Sequence, residues 1–193
     1  FNTIPVLFDL DADGDLDLIL ATSPESPNQI GAEPASLLYF ANTGDLLRPT
    51  FSFEGINVTV LVSQIDSPFR QINFEMSTEN ANKIKLTLAD MDFDGDLDLL
   101  IGDGNGGLKY FVNNGTNSSA NFSSALLSMN RNPFQGIEVK SYGGVGWSAP
   151  EIADVDLDGD LDLVLGNQQG KIDYWENVGT AAAGVFQRRD GTS

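Results

Sequence analysis

The sequence of 193 residues contains no cysteine and no histidine. Their absence excludes disulfide bonds, catalytic thiolates, Ser-His-Asp triads, and zinc or iron–sulfur sites built on these ligands. Any catalysis would depend on carboxylate, lysine, arginine or tyrosine side chains. Apart from a set of repeated aspartate loops, no acidic pair stands out at the spacing of a catalytic pair. We therefore expect no enzymatic activity and no catalytic residue in this chain.

Basic residues are also few: 10 Lys and Arg stand against 28 Asp and Glu, which gives a formal net charge of -18 at pH 7. A charge of this sign repels nucleic acid phosphates and anionic membrane surfaces. No apolar run approaches the roughly 20 residues that cross a bilayer. We therefore expect no nucleic acid partner and no membrane span. Because the chain begins at Phe1 without a signal segment, we also expect it to be a piece of a longer protein.

The sequence does contain a threefold internal repeat, with aspartate at alternate positions and glycine at the sixth. The copies read DLDADGDLDLILA at residues 9–21, DMDFDGDLDLLIG at 90–102 and DVDLDGDLDLVLG at 154–166. An aromatic pair follows each copy, with Asn three residues and Gly five residues after its first member: Tyr39-Phe40, Tyr110-Phe111 and Tyr174-Trp175. A Pro-Phe pair precedes the second and third copies, at 68–69 and 133–134. These spacings indicate a unit of about 65 residues.

The landmarks divide the chain into a partial unit at residues 1–66, which starts in mid-repeat, and two further units at 67–132 and 133–193. About ten extra residues of the first unit fall within 22–36, where prolines and a glycine predict an irregular inserted loop. The other segments are short, apolar or alternating, and bounded by turn residues, which predicts strands joined by hairpins. A unit of about four strands cannot bury both faces alone. We therefore predict an all-β fold of tandem units of about four strands, stacked as the blades of a β-propeller or as the coils of a solenoid.

The repeated aspartates predict a calcium site in each unit, or about three Ca²⁺ per chain. Five like charges so close together are costly without a cation; Ca²⁺ takes about six to eight oxygen ligands, and the glycine permits the tight turn. Positions 1, 3, 5 and 9 are expected to supply carboxylates and position 7 its carbonyl. Magnesium fits less well because it prefers stricter octahedral sites, and manganese remains an alternative. In loop order, the predicted metal residues are Asp9, Asp11, Asp13, Asp15 and Asp17; Asp90, Asp92, Asp94, Asp96 and Asp98; and Asp154, Asp156, Asp158, Asp160 and Asp162.

The loops are not EF-hands, because an EF-hand needs Glu at position 12, where this chain has Leu20, Ile101 and Leu165. The pattern D-x-D-x-D-G-D-x-D-L-x-x-x-G, followed by the aromatic pair and N-x-G, resembles FG-GAP or VCBS-type repeats, the blades of seven-bladed integrin-α-like propellers. The resemblance implies a calcium-binding loop in a hairpin between two blade strands. It also implies that this chain supplies about two and a half to three blades. The others would come from a longer chain or from other copies in an assembly.

The resemblance further implies an extracellular adhesion, ligand-binding or scaffold module whose partner is a protein or a glycan. The alternative is a lectin-like or carbohydrate-active propeller, in which Trp147 and Trp175 could stack on sugars. Millimolar extracellular calcium would saturate loops of modest affinity. Four N-x-S/T sequons are candidate glycosylation sites and favour a secreted or cell-surface location. They are Asn57, Asn114, Asn117 and Asn121.

Overall fold

The computed structural model describes residues 2–23, 36–44, 46–51, 68–69, 72, 84–124, 132–139 and 146–189. Within these ranges, all helices and strands are β-strands, joined by turns and loops. The predicted all-β class is therefore confirmed for these ranges. Residues 24–35, which make up most of the predicted inserted loop, lie outside them, and so does Asn57.

Within the described residues, eleven strands form three antiparallel sheets, and strands that follow one another within a sheet are paired. Sheet 1 contains β1 (Asn2–Phe8), β2 (Asp17–Ser23) and β3 (Ser36–Phe40). Sheet 2 contains β4 (Lys85–Ala89), β5 (Asp98–Gly102), β6 (Leu108–Asn113) and β7 (Phe122–Ser124). Sheet 3 contains β8 (Ala149–Ala153), β9 (Asp162–Gly166), β10 (Ile172–Asn177) and β11 (Phe186–Arg189). Each sheet lies within one predicted unit, although the unit boundaries themselves stay a prediction.

Sheet 1 has three described strands, and its unit, residues 1–66, was predicted to be partial. Asn42 pairs with Phe51 in an isolated bridge, at the place where Asn113 pairs with Phe122 to begin the fourth strand of sheet 2. Residues 52–67 lie outside the described ranges. The bridge therefore marks the same turn in the first unit, and the described strands of that unit end before it.

Sheet 2 lies between the other two sheets, which explains its unusually apolar central strand. All five residues of β5 are buried. Leu99 and Ile101 pack into a core shared with sheet 1, whereas Leu100 packs into a second core shared with sheet 3. Because alternate side chains of a strand point to opposite faces, a strand covered on both faces must be a continuous apolar run.

The Pro-Phe landmarks are turns that place a buried phenylalanine in each of these two cores. Phe69 and Phe134 are 4% and 2% exposed. In each turn the backbone N–H three residues further on donates to the phenylalanine carbonyl, from Ile72 at 3.0 Å and from Ile137 at 3.1 Å. The landmark that the sequence repeats is therefore an element of the packing between sheets.

Candidate metal centres

Each aspartate loop joins the first two strands of its sheet. Loop 1 comprises residues 9–17, loop 2 residues 90–98 and loop 3 residues 154–162; the ninth residue of each begins the second strand. The glycine at position 6 has φ of 95° to 98° in all three loops, at Gly14, Gly95 and Gly159. Residues with a Cβ rarely adopt this conformation. The glycine is thus required by the turn that brings the aspartates together.

Three carboxylates converge in every loop, with ligand oxygens that all lie within 4.8 Å of one another. The converging residues are Asp9, Asp11 and Asp13 in loop 1, Asp90, Asp92 and Asp94 in loop 2, and Asp154, Asp156 and Asp162 in loop 3. Each group could hold a metal ion. The donors are all oxygens, which suits hard cations such as Ca²⁺ and Mg²⁺.

Backbone N–H groups of each loop hold the carboxylates at positions 1 and 5 in place. In loop 2, Gly95 N donates to Asp90 Oδ2 and Asp96 N donates to Asp94 Oδ1, both at 3.1 Å. The equivalent bonds in loops 1 and 3 measure 3.1 or 3.2 Å. Because these bonds form within the loop, the carboxylates at positions 1 and 5 are held in place by the backbone itself.

Two carboxylate oxygens in every loop are buried and accept no hydrogen bond from the residues that the structure describes. They are Oδ1 of Asp9 and Asp15, of Asp92 and Asp96, and of Asp154 and Asp160. A buried, unpaired carboxylate oxygen is costly unless a cation contacts it. The predicted residues therefore fit a cation. The position 7 side chain, for which we predicted only a carbonyl contribution, also presents a free carboxylate oxygen.

The electrostatics of the loops agree with this geometry. In loop 2, burial and the neighbouring Asp94, Asp92 and Asp90 carboxylates raise the pKa of Asp96 to about 6. Burial and neighbouring carboxylates also raise the pKa at positions 3 and 7 of the other loops, namely Asp11, Asp15, Asp156 and Asp160. A divalent cation would offset both the lost solvation and the mutual repulsion that raise these pKa values.

The aspartate at position 9 is an anchor that joins each loop to the aromatic landmark. Asp98 is 1% exposed; its Oδ2 accepts a bond of 2.6 Å from the Tyr110 hydroxyl, and its Oδ1 accepts one of 2.8 Å from Asn113 N. Burial raises the pKa of Asp98 to about 7, although these hydrogen bonds oppose the shift. Asp17 and Asp162 make the same bonds, at 2.9 Å from Tyr39 and Tyr174 and at 2.8 Å from Asn42 and Asn177.

The asparagine of the N-x-G landmark closes the turn that follows. Asn113 Oδ1 accepts bonds from Gly115 N at 3.0 Å and from Asn121 N at 2.8 Å, and the turns after Asn42 and Asn177 repeat this pair. A Cβ at Gly115 would collide with the Ser119 carbonyl oxygen. The sequence also repeats a phenylalanine nine residues after each of these asparagines, at Phe51, Phe122 and Phe186. This landmark was missed in the sequence.

The remaining candidate residues lie outside the three aspartate loops. Asn114, Asn117 and Asn121 are exposed in the connection from β6 to β7. Trp175 packs against the core between sheets 2 and 3, as expected for an aromatic residue in a strand. Trp147 is partly buried and has φ of 43°.

Residues 90–165 match the family model of the FG-GAP-like repeat. The match begins at the first aspartate of loop 2 and ends in β9, so the predicted resemblance is confirmed over this stretch. No curated protein and no solved structure matches the chain. In the part of the chain that the structure describes, no helix has the length and apolar character needed to cross a membrane.

Proposed function

We propose that this chain is a calcium-binding repeat module in which each aspartate loop holds one Ca²⁺ ion. The observation that carries the proposal is the pair of buried, unpaired carboxylate oxygens in every loop, beside a converging group of three carboxylates. Six carboxylate oxygens, two in each loop, are buried without a hydrogen bond from the described residues. Such burial is costly in the absence of a cation. Ion binding would therefore contribute directly to the stability of the fold.

Calcium is the ion that the donor set favours. The converging side-chain donors are all carboxylate oxygens, and a chain without cysteine or histidine lacks the thiolate and imidazole ligands typical of zinc and copper sites. Ca²⁺ accepts flexible oxygen coordination at about 2.3–2.6 Å, whereas Mg²⁺ demands near-ideal octahedral geometry. Five carboxylates per loop retain net negative charge after one divalent ion binds, which favours the ion with the higher coordination number.

The stacked sheets support a propeller-like arrangement of blades. Leu100 and Tyr110, on the face of sheet 2 toward sheet 3, are fully or nearly fully buried. The matching residues of sheet 3, Val164 and Tyr174, are only partly buried, and nearby Ile172 is 72% exposed. We propose that a further unit, from a longer chain or from another copy, covers this face as sheet 3 covers sheet 2.

We infer that the module is an extracellular scaffold without enzymatic activity, which presents surfaces to a protein or glycan ligand. Three exposed sequons in one connection support a secreted location. Calcium at extracellular concentrations would keep loops of this kind loaded. Detecting N-linked glycan on the secreted protein by mass spectrometry checks the location; sequons that stay unmodified after secretion would remove this support.

Metal content and thermal unfolding together test the calcium proposal. We expect about three Ca²⁺ per chain and a Tm that rises by about 10 °C or more with excess Ca²⁺ over the metal-stripped chain, because three bound ions stabilise only the folded state. Asp94→Asn and Asp156→Asn, each in the converging group of its loop, should each lower the calcium content by about one ion. A chain that binds no calcium and shows no Tm shift would refute the proposal.

Asp103→Asn is the matched control, since it removes one charge outside the loops. Asp103 Oδ1 accepts bonds from Asn105 N and Gly107 N in the turn between β5 and β6. Asn167 makes the same pair of bonds in the equivalent turn of sheet 3, so an asparagine can replace the aspartate. This variant should keep all three ions.

A further inference from the structure

A buried phenylalanine joins sheet 2 to sheet 3 through aromatic contacts. The ring of Phe134 meets Tyr110 of sheet 2 edge-on, with 5.4 Å between centroids and 73° between planes. It stacks on Phe186 of sheet 3 at 4.9 Å and 25°. Edge-on and offset-stacked ring pairs are stabilising beyond the area that they bury. Phe134 thus contacts one ring from each sheet and sets the position of Tyr110 relative to Phe186.

The interface between sheets 1 and 2 repeats this arrangement. Phe69 meets Tyr39 of sheet 1 edge-on at 6.5 Å and 80°, and it stacks on Phe122 of sheet 2 at 5.1 Å and 11°. The contact was not predictable from the Pro-Phe landmark alone, because its partners lie far away in the sequence.

Both ends of each aromatic contact are tied to a metal loop. On one side, the Tyr110 hydroxyl donates to Asp98 of loop 2. On the other side, Phe186 is the cross-strand partner of Asn177, whose N–H donates to Asp162 of loop 3. An unbroken series of contacts therefore runs from the anchor aspartate of one loop to that of the next.

We propose that Phe69 and Phe134 are positioning residues that couple cation binding at neighbouring loops, so that an ion in one loop raises the affinity of the next. The inference rests on the proposed calcium binding. An ion in loop 2 orders Asp98 and thereby Tyr110, and the ring contacts pass this order to Phe186 and Asn177. Loop 3 then binds its ion at a smaller cost in conformational entropy. Phe69 does the same between loops 1 and 2.

Calorimetric titration with Ca²⁺ measures this coupling directly. In the full chain carrying Asp13→Asn, only loops 2 and 3 bind Ca²⁺. The affinity of loop 3 is measured twice in this chain, once with loop 2 intact and once with loop 2 disabled by Asp94→Asn. We expect loop 3 to bind at least about 5-fold more tightly when loop 2 is intact, the lower end of ordinary coupling between sites. In the Phe134→Leu background this ratio should fall to about one.

Phe69→Leu is the matched control, because it creates a similar change at the other interface and should leave the ratio for loops 2 and 3 unchanged. Phe186→Leu breaks the same series of contacts as Phe134→Leu and serves as the second variant should Phe134→Leu fail to fold by circular dichroism. If the two phenylalanines had a purely structural role, Phe69→Leu and Phe134→Leu would both lower the Tm, and neither would change the affinity ratio measured at loop 3.

The coupling proposal is overturned if loop 3 has the same affinity with and without a functional loop 2, or if the ratio persists in both Phe134→Leu and Phe186→Leu. These outcomes differ from failure of the calcium proposal itself, in which the parent chain would show no binding at any loop.

Discussion

At the scale of single residues, five aspartates of one loop have different roles although their chemistry is the same. Those at positions 1 and 5 accept backbone hydrogen bonds within the loop. The aspartate at position 7 directs a buried oxygen that accepts no hydrogen bond from the described residues. The fifth, at position 9, is held by a tyrosine and an asparagine of another strand. In loop 3 this residue, Asp162, also belongs to the converging group of three carboxylates, so a position 9 aspartate can both anchor its loop and face an ion.

The raised pKa values of loop 2 predict how stability depends on pH without metal. The pKa of Asp96 is raised to about 6 and that of Asp98 to about 7, from 3.8. A carboxyl group with a higher pKa in the folded state binds its proton more tightly there, so stability falls as pH rises from about 4 through about 7. We expect the Tm of the metal-stripped chain to fall by several degrees between about pH 5 and pH 8.

Thermal unfolding by circular dichroism in metal-free buffers checks this prediction. Added Ca²⁺ should remove or reverse the fall, because the ion binds the ionised carboxylates and takes over the role of the protons. Asp98→Asn should reduce the slope, since it removes the group with the larger shift. A metal-stripped chain whose Tm rises over this range would contradict the assigned direction.

At the scale of elements, each loop is fastened to the third strand of its own sheet. The anchor aspartate begins the second strand, and its tyrosine partner lies in the adjacent strand, as Asp98 and Tyr110 do in β5 and β6. The antiparallel register, which pairs Leu100 with Tyr110, sets the position from which the tyrosine hydroxyl reaches back to the loop. Loop and hairpin therefore form one structural element.

Tyr110→Phe should destabilise the chain by about 1–3 kcal/mol, because it leaves a buried Asp98 oxygen without its hydroxyl donor. Tyr174→Phe is the matched comparison: it removes the same bond, at 2.9 Å, from a more exposed tyrosine, and it should cost less. Urea unfolding of the two variants in the presence of calcium gives both values. Equal losses would show that burial does not govern the strength of this bond.

At the scale of the whole molecule, stability comes from faces that neighbouring sheets bury in one another. Sheet 2 is covered on both faces, whereas Ile172 and its neighbours on sheet 3 remain accessible. If other copies supply the covering unit, sedimentation should show association that increases with concentration and is abolished by Ile172→Lys. A chain that stays monomeric at all concentrations would rule out covering of this face by other copies.

The sequence by itself determined the repeat, the all-β class of the described residues and the aspartates that converge. These properties are local: alternate spacing places side chains on one side of a loop, and only glycine adopts the conformation that position 6 requires. The calcium assignment, the unit boundaries and the glycosylation of the four sequons stay predictions. The number of blades in the complete assembly is also still a prediction.

Only the tertiary structure decided which distant residues the landmarks contact. The partner of Asp98 is Tyr110 because strand register places it there, and Phe134 lies between Tyr110 and Phe186 because two sheets pack face to face. The spacing of a landmark fixes its position along the chain but not its neighbours in space. Those neighbours follow from how the facing surfaces of the three sheets fit together, since side chains in a close-packed interior must interdigitate.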